Sequence, residues 1–371
     1  MRALSAPVPF LLLLTAAVTL HAAEVSDADK RIVQTVQRLS SFNYAAASQK
    51  TKDAIGRYLD ATAGSEEYFA LVEKFSIASQ SATLLKLATA PAAGGSGSPQ
   101  SGQAVKLLLK LGQQEEVTRT LAGLPPDAAG ALLGSIASVG TQEAVALALA
   151  SVTAPATAPE VRLHAVKALG LSAAGQKALL EAARAGQLPA DVREAAGTAL
   201  TTSTDEAIRT EVAALFQMAA KKPLPPVAEL AKRTGKTADG HTVFMTYCFT
   251  CHQVNGEGID FGPALGEIGT KLAKEALYEA ILKPTAAISF GYEGWEVKTK
   301  AGDTFTGMVA SETPAELALR LPGGVIQKVP KTDVVSKTAL AVSLMTPGLE
   351  TVMEETQLVD LVEFLASLKK K

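Results

Sequence analysis

Aromatic residues are distributed so unevenly that the chain needs two kinds of hydrophobic core. Residues 76–215 contain no Phe, Tyr or Trp, a stretch of 140 positions, whereas residues 237–371 contain ten. A core without aromatic side chains has to be filled by Ala, Leu and Val, and short helices packed through small side chains meet that requirement. The two lysines and three prolines of residues 221–226 interrupt helix formation between these stretches. We therefore predict a domain border near residue 221.

The aromatic-free stretch predicts a row of short helices. Its Ala, Leu and Val residues recur at helical spacing, with breaks at 123–126 and 186–189, where Gly and Pro occur together. The segments 161–169 and 192–200 share Val, Arg, Ala and a final Ala-Leu pair at an offset of 31 residues. Helical pairs that repeat in this way stack into a solenoid, and the region resembles HEAT-type repeats. An irregular helical domain with a coincidental match is the alternative.

Segments on either side complete the predicted organisation. Residues 25–88 also have helical periodicity, for example from Ile32 to Leu39 and from Tyr68 to Phe75. The Gly, Ser and Pro residues between Ala90 and Gly102 predict a mobile loop. The predicted domains are a helical-repeat region at 24–220, a linker at 221–236 with a short helix around Val227 to Arg233, and a second domain at 237–371.

Residues 1–23 have the composition of a secretory signal peptide. Arg2 precedes an apolar run from Val8 to Leu20, and Ala22 and Ala23 supply small residues for cleavage. A membrane anchor is the alternative, but 13 apolar residues fall short of the roughly 20 that span a bilayer. We expect cleavage near Ala23 and a protein that is periplasmic or otherwise exported, without stable membrane insertion. The net charge of −2 argues against nucleic acid as a partner.

The only two cysteines of the chain are Cys248 and Cys251, and His252 follows them directly. The pattern Cys-x-x-Cys-His is the attachment sequence for c-type haem. Two thiols at this spacing reach the two vinyl groups of one macrocycle, and the adjacent imidazole is then held beneath the iron as a ligand. The sequence therefore predicts one covalent haem c per chain.

Three other uses of this cysteine pair are less compatible with the sequence. A disulfide between Cys248 and Cys251 would close a very small, strained ring. A thioredoxin-like redox pair follows a strand in a βαβ unit, and no such pattern precedes Tyr247. A zinc ion needs four ligands, whereas only His241 lies near, and the neighbours Cys251 and His252 do not easily share one tetrahedral ion.

The second axial ligand of the iron decides the function, because an open iron binds small molecules and a closed one transfers electrons. Met345 is the best candidate, since residues 343–348 form a Pro/Gly loop just before the final helix. The other histidines lie in the signal peptide, in the helical repeats and on the helix before the motif: His21, His164 and His241. The other internal methionines are expected on helices, in a strand or across the domain border: Met218, Met245, Met308 and Met353.

The residues before the motif predict a helix that delivers the cysteines. Gly240, Phe244 and Cys248 recur at i, i+4 and i+8, so they form one stripe on that helix. Gly240 permits the close approach of a second helix. The expected partner is the last helix of the chain, which carries Phe364 among regularly spaced leucines.

A Gly-Pro pair after the motif predicts the orientation of the histidine ring. Gly262 lies ten residues after His252 and is followed by Pro263. We expect the Pro263 carbonyl to accept the N–H of the second ring nitrogen and so to fix the tautomer of His252. An ordinary turn is the alternative.

Together these features resemble a class I cytochrome c. The resemblance rests on Gly240, Phe244, Cys248, Cys251, His252, Pro263, Leu265, Met345 and Phe364. It implies a haem-binding site to which Phe244, Pro263 and Leu265 contribute. The chain departs from the compact pattern because His252 and Met345 are 93 residues apart. Alternating strand and turn patterns over about 293–337 predict an inserted antiparallel β-sheet that explains the excess.

The second domain closely resembles the C-terminal haem-binding domain of Planctomycetes and Verrucomicrobia, which accompanies helical-repeat or dehydrogenase-like modules. The matching segments are 248–262, 288–295 and 343–348. The resemblance covers about residues 225–371 and implies haem binding and electron transfer.

The predicted fold is mainly α, with a HEAT-like α-solenoid followed by a cytochrome c domain that carries a small inserted antiparallel β-sheet. We expect an exported monohaem electron carrier with His252 and Met345 as axial ligands, since no nucleophile, general base or substrate pocket is evident. Its expected partner is another redox protein, for example a periplasmic dehydrogenase, with the helical repeats as docking scaffold. One alternative is a haem sensor or catalyst with a labile sixth ligand. Another is a solenoid interaction protein in which the haem is a structural element.

Overall fold

The computed structural model describes residues 25–90, 98–216 and 223–370. The predicted signal peptide at 1–23 and Met218 lie outside these residues. Within them the chain is mostly helical, with a two-stranded and a five-stranded antiparallel sheet. None of the helices in the described ranges is long and apolar enough to cross a membrane. The chain divides into two compact units, Met1–Tyr68 and Phe69–Lys371.

The first unit contains α1 (Asp27–Arg38), α2 (Gln49–Ala61) and the beginning of α3 (Glu66–Phe75). Ser26 and Ser48 cap the first two helices, since each side chain accepts a hydrogen bond from a backbone N–H of the first turn. The two helices pack against each other, and Arg57 donates two hydrogen bonds to Asp29, at 2.8 and 3.0 Å. Because the guanidinium stabilises the ionised carboxylate, the pKa of Asp29 is lowered.

Short helices fill the aromatic-free stretch. Those in the described residues are α4 (Ser81–Ala88), α5 (Pro99–Lys110), α6 (Gln114–Gly123), α7 (Pro126–Val139), α8 (Gln142–Thr153), α9 (Pro159–Gly170), α10 (Ala173–Arg184), α11 (Ala190–Thr201) and α12 (Glu206–Phe216). Helices that are separated by one other helix in sequence contact each other. Examples are α7 with α9, α9 with α11, and α8 with α10. The similar segments 161–169 and 192–200 occupy equivalent positions in α9 and α11. The solenoid arrangement itself stays a prediction.

Glycine and alanine allow these helices to approach closely. A Cβ atom placed on Gly170 would lie 2.8 Å from the Cβ of Ala199, closer than two carbons can pack. A Cβ atom on Gly130 would lie 2.6 Å from Nδ1 of His164, so that glycine leaves the space which the imidazole fills. Because these helices pack through small side chains and not through aromatic ones, their backbones lie close together.

The prediction of a loop from Ala90 to Gly102 is wrong over its last four residues, which form the first turn of α5. Residues 91–97 lie outside the described part of the chain. Ser98 caps the helix by accepting a hydrogen bond from the Ser101 N–H at 3.0 Å, and Pro99 occupies the first helical position. These two start signals outweigh the low helix propensity of Gly102.

The helices after residue 222 surround a second core. They are α13 (Val227–Leu230), α14 (Thr237–Tyr247), α15 (Ile268–Lys271), α16 (Lys274–Leu282), α17 (Leu349–Val352) and α18 (Glu355–Ser367). A Cβ atom on Gly240 would overlap the Asp360 carbonyl oxygen and lie 2.7 Å from the Cβ of Phe364, so α14 and α18 cross backbone to backbone. The rings of Phe244 and Phe364 pack beside this crossing with centroids 5.8 Å apart.

A five-stranded antiparallel sheet lies between α16 and α17 in sequence. Its strands are β3 (Trp295–Thr299), β4 (Thr304–Glu312), β5 (Glu316–Arg320), β6 (Ile326–Pro330) and β7 (Val334–Ala339), in the spatial order β6-β5-β4-β3-β7. The two-stranded sheet consists of β1 (Gln253–Val254) and β2 (Glu257–Gly258). The insertion is predicted to end at about residue 337, and β7 extends two residues further to Ala339 and pairs with β3, with Trp295 opposite Ala339. The sequence pattern had not indicated this fifth strand.

The inserted sheet binds to the helical region. The backbone N–H of Gln142, at the start of α8, donates a hydrogen bond to the Asp303 carboxylate at 2.9 Å, and its side chain donates to the Gly302 carbonyl at 2.7 Å. Gln103 of α5 donates to the Ile326 carbonyl at 3.0 Å. One turn of the sheet and the first residue of β6 are thus joined to two different helices, so the insertion connects α5 and α8 with the rest of the second unit.

We expect Gly240→Ala to lower the free energy of unfolding by about 1–3 kcal/mol, because its methyl group would overlap the Asp360 carbonyl at the helix crossing. Gly123→Ala is the matched control, since an added Cβ there would have no atom within 4 Å and the residue is exposed at a helix end. Differential scanning calorimetry of both variants measures the effect. Equal melting temperatures for the two would contradict the importance of the crossing.

Candidate functional site

The cysteine motif continues the backbone path of α14. Cys248 caps the helix, and its N–H donates to the Phe244 carbonyl at 2.9 Å. The next turn repeats this pattern, because the His252 N–H donates to the Cys248 carbonyl at 2.9 Å. Residues three and four positions apart share one side of such a turn. Cys248, Cys251 and His252 are therefore brought to the same side of the chain.

A tight hairpin after the histidine folds the following segment back onto the motif. Asn255 and Gly256 have positive φ angles of 50° and 88°, as a two-residue turn between β1 and β2 requires. The Ile259 N–H donates to the Phe249 carbonyl at 2.9 Å, and the Phe261 N–H donates to the Cys251 carbonyl at 3.2 Å. These backbone hydrogen bonds carry the chain from the hairpin to the Gly-Pro pair beside the histidine.

The ring of His252 is held in one orientation. Its Nδ1 lies 2.8 Å from the Pro263 carbonyl oxygen, which accepts the Nδ1 hydrogen and leaves Nε2 with a free lone pair. Burial lowers the pKa of His252, and the hydrogen bond to Pro263 partly opposes that shift. The neutral imidazole is thus favoured, which is the form that coordinates a metal.

The two thiols are free and differ from those of a thiol-disulfide oxidoreductase. Burial raises the pKa of Cys248 to about 12 and that of Cys251 to about 11. Redox-active cysteines instead have lowered pKa values, because their thiolate is the reactive form. In the ranges that the structure describes, no three His, Cys, Asp or Glu side chains are grouped to hold a metal ion. The environment of the two thiols therefore differs from that of a thioredoxin-like pair.

The cysteines and the histidine line one cavity of about 250 Å³, which we call the motif cavity. Its wall has no Asp, Glu, Lys or Arg side chain and is built mainly from aliphatic and aromatic residues. Of the sequence-predicted site residues, those on the wall are Cys248, Cys251, His252, Pro263, Leu265 and Met345. Phe244 is fully buried in the adjoining core. Neutral thiols, an oriented imidazole and an apolar wall fit a flat apolar macrocycle attached through both cysteines.

In the described part of the chain, two methionines line the motif cavity. Met345 lies on the loop before α17, where its N–H donates to the Ser343 hydroxyl at 3.1 Å. Met308, on β4, also lines the cavity and is 7% exposed. Sequence reasoning placed Met308 in a strand but did not connect it with the site. Side chains alternate between the two faces of a strand, so Met308 lies on the face of β4 opposite to Phe305, which belongs to the sheet core. This alternation could have pointed to Met308 as a residue outside that core.

The other methionines and histidines are not part of the motif cavity within the described residues. Met353 is buried in the helical core and Met245 packs against it. His241 lies 2.8 Å from the Glu257 carboxylate, and its ring packs edge-on against Phe364 with centroids 5.2 Å apart.

Residues 237–319 match the family model of cytochrome c. The matched segment contains the attachment motif, Pro263, Leu265 and Met308, and it ends within β5, before Met345 and α18. No curated protein matches the chain. The match supports a cytochrome c domain in this part of the chain, and the cytochrome c family implies covalently bound haem c and electron transfer.

We expect Gly262→Ala to disturb the cytochrome c domain, because its methyl group would lie 2.7 Å from Cε1 and 3.0 Å from Nδ1 of His252. Displacing the ring weakens its hydrogen bond to Pro263 and costs about 1–3 kcal/mol of stability. Gly266→Ala, four residues later in the same loop, is the control, since its nearest neighbour would be at an ordinary 3.4 Å. Thermal unfolding and the absorption spectrum of the haem-loaded protein measure both effects. An unchanged Gly262→Ala protein would show that the ring is not confined by this loop.

Proposed function

We propose that this chain is an exported c-type cytochrome with one haem, which exchanges single electrons with another redox protein. The observation that carries the proposal is the arrangement of His252. Its Nδ1 is engaged by the Pro263 carbonyl at 2.8 Å, while its ring lines the same apolar cavity as Cys248, Cys251 and Met345. One attachment motif in the whole sequence supports one haem per chain.

In this proposal Cys248 and Cys251 form thioether bonds, and His252 and Met345 are the axial ligands. A haem bound in this way supplies one-electron chemistry at its iron, and a thioether ligand favours a relatively positive reduction potential. The apolar wall of the motif cavity, with Leu265 among its residues, excludes water. Exclusion of water reduces the solvent reorganisation that accompanies a change of charge, which favours electron transfer.

An electron carrier fits this site better than an enzyme. Carboxylates, lysines and arginines are missing from the wall of the motif cavity in the described residues. Among the residues that the structure describes, the one imidazole on that wall belongs to His252, whose Nδ1 donates a hydrogen bond to the Pro263 carbonyl. General acid–base chemistry on a substrate needs such groups within hydrogen-bond reach of the reacting atoms.

The helical region is proposed as a docking scaffold with HEAT-like repeats. Support comes from the hydrogen bonds of Gln103 and Gln142 to the inserted sheet, which join helices to the second domain. A redox partner bound to those helices would be kept near the haem. The proposed partner is another exported redox protein, for instance a periplasmic dehydrogenase. Export itself rests on the signal-peptide composition of residues 1–23.

Covalent haem attachment is the first test. We expect the full chain, produced in a host with haem-maturation machinery, to retain one haem per chain after denaturation. Cys251→Ser removes one thioether, so its haem should be lost or show the pyridine haemochrome spectrum of a single thioether bond. Thr246→Ser, at an exposed position of α14, should behave like the unaltered chain. Haem that is fully extracted from the unaltered chain by acid and solvent would overturn the proposal.

The choice of axial methionine is the second test. We expect Met345→Ala to abolish the methionine-to-iron charge-transfer band of the ferric protein and to lower its reduction potential, because the thioether ligand is lost. Met308→Ala is the matched control, since both methionines line the motif cavity. It should retain the band. The reverse result would assign Met308 as the ligand in place of Met345.

A further inference from the structure

A second cavity lies between the helical region and the cytochrome c domain. It has a volume of about 150 Å³, and we call it the interface cavity. One side is formed by residues of α7, α9 and α10 and by the segment after α11, and the other by β4, Leu321 to Gly323 and the cysteine motif. Tyr247, Cys251, Leu344 and Thr346 line both this cavity and the motif cavity. The two cavities therefore share part of their walls, including the second cysteine.

The wall of the interface cavity has a distinct chemistry. None of its residues is Asp, Glu, Lys, Arg or His. Apolar surface is supplied by Phe305, Leu321 and Leu344, among others. Four threonines line the wall without a side-chain hydrogen bond among the described residues: Thr204, Thr304, Thr306 and Thr346. An apolar wall with several open hydroxyl groups is suited to a molecule of the same mixed character.

Backbone donors add to these hydroxyl groups. Ala173 and Ala174, the first two residues of α10, also line the interface cavity. The N–H groups of a first helical turn have no partner within the helix. Ser172 accepts a hydrogen bond only from the third of them, at Gly175. The cavity thus offers both donors and acceptors without offering a formal charge.

We propose that the interface cavity binds a small uncharged molecule of about one six-membered ring that carries one or more hydroxyl groups. The size follows from the volume, because an apolar cavity of about 150 Å³ accommodates benzene. Absence of charge follows from the wall, since a buried ion without a partner would lose its hydration uncompensated. The hydroxyl groups of such a molecule would bond the threonines and the start of α10.

This site goes beyond the proposed electron-transfer function, because Thr204, Thr304 and Thr306 line the interface cavity and not the motif cavity. A molecule bound there contacts the helical region and Cys251 at the same time. Its binding therefore links the helices to the immediate surroundings of the attached haem.

Phenol is the probe for this site, with isothermal titration calorimetry of the haem-loaded full chain at pH 7 as the measurement. We expect saturable binding of one phenol per chain. Benzoate has a similar ring but is ionised at this pH, and 2-naphthol has a second ring, so neither should bind at comparable concentrations. Benzoate or 2-naphthol binding as tightly as phenol would overturn the proposed selection by charge or size.

Nearly isosteric variants locate the phenol. Thr204→Val and Thr306→Val remove one hydroxyl group each and should weaken phenol binding about threefold to tenfold, the range expected for one lost hydrogen bond. Thr118→Val, at an exposed position of α6, should leave the affinity unchanged. The haem spectrum and melting temperature of each variant check that its fold is preserved. Phenol affinity that is the same in all three variants would overturn the assignment to this cavity.

A filled cavity provides an independent measurement. Ala174→Phe places a ring where phenol is expected and should abolish its binding while the haem stays attached. Retained phenol binding in this variant would contradict the proposal. In the unaltered chain, failure of covalent haem attachment would be seen by pyridine haemochrome analysis and would overturn the cytochrome proposal alone, because the threonines that distinguish the interface cavity belong to the chain itself.

Discussion

The contact of one helix backbone with another at Gly240 and Asp360 determines the geometry of the cytochrome c domain. It fixes α18 against α14, and α14 ends where the cysteine motif starts. Any side chain larger than hydrogen would separate the two helices and shift Phe244 away from Phe364. Since the loop with Met345 leads through α17 into α18, the same contact sets the distance between the proposed iron ligands. Close approach at a single residue thus controls groups far from it in sequence.

The protein itself orients the histidine and keeps the side chains of the motif cavity uncharged. His252 is oriented by Pro263 at 2.8 Å and kept neutral by burial. Burial also keeps both thiols protonated, with pKa values of about 12 and 11, so the cavity has no internal charge to stabilise. An apolar macrocycle can bind in an uncharged environment of this kind at little electrostatic cost. The interface cavity continues this uncharged environment towards the helices, with hydroxyl groups in place of aliphatic ones.

Features that depend on nearby residues were predictable from the sequence, whereas those that depend on distant pairing were not. The helices follow from their periodicity and caps, and the position of Pro263 beside His252 follows from a short loop. Strand β7 forms because β3 pairs with it, and its own residues carry only a weak pattern. The role of Met308 depends on which face of the sheet meets the motif cavity, and the interface cavity depends on how two regions pack. The local sequence does not contain information on which face of the sheet meets the cavity or on how two regions pack.

The two ends of the inserted sheet meet, and this affects how the domain can reach its native state. The Leu340 N–H donates to the Gly294 carbonyl at 2.9 Å, next to the pairing of Trp295 with Ala339. Once formed, the sheet therefore acts as a short hydrogen-bonded bridge, and the effective chain length between His252 and Met345 is much smaller than the 93 residues of the sequence. Loop-closure entropy falls with that length. Strands β3 to β6 are joined by consecutive hairpins, whereas β7 returns to pair with β3, and this last pairing brings the two ends of the insertion together.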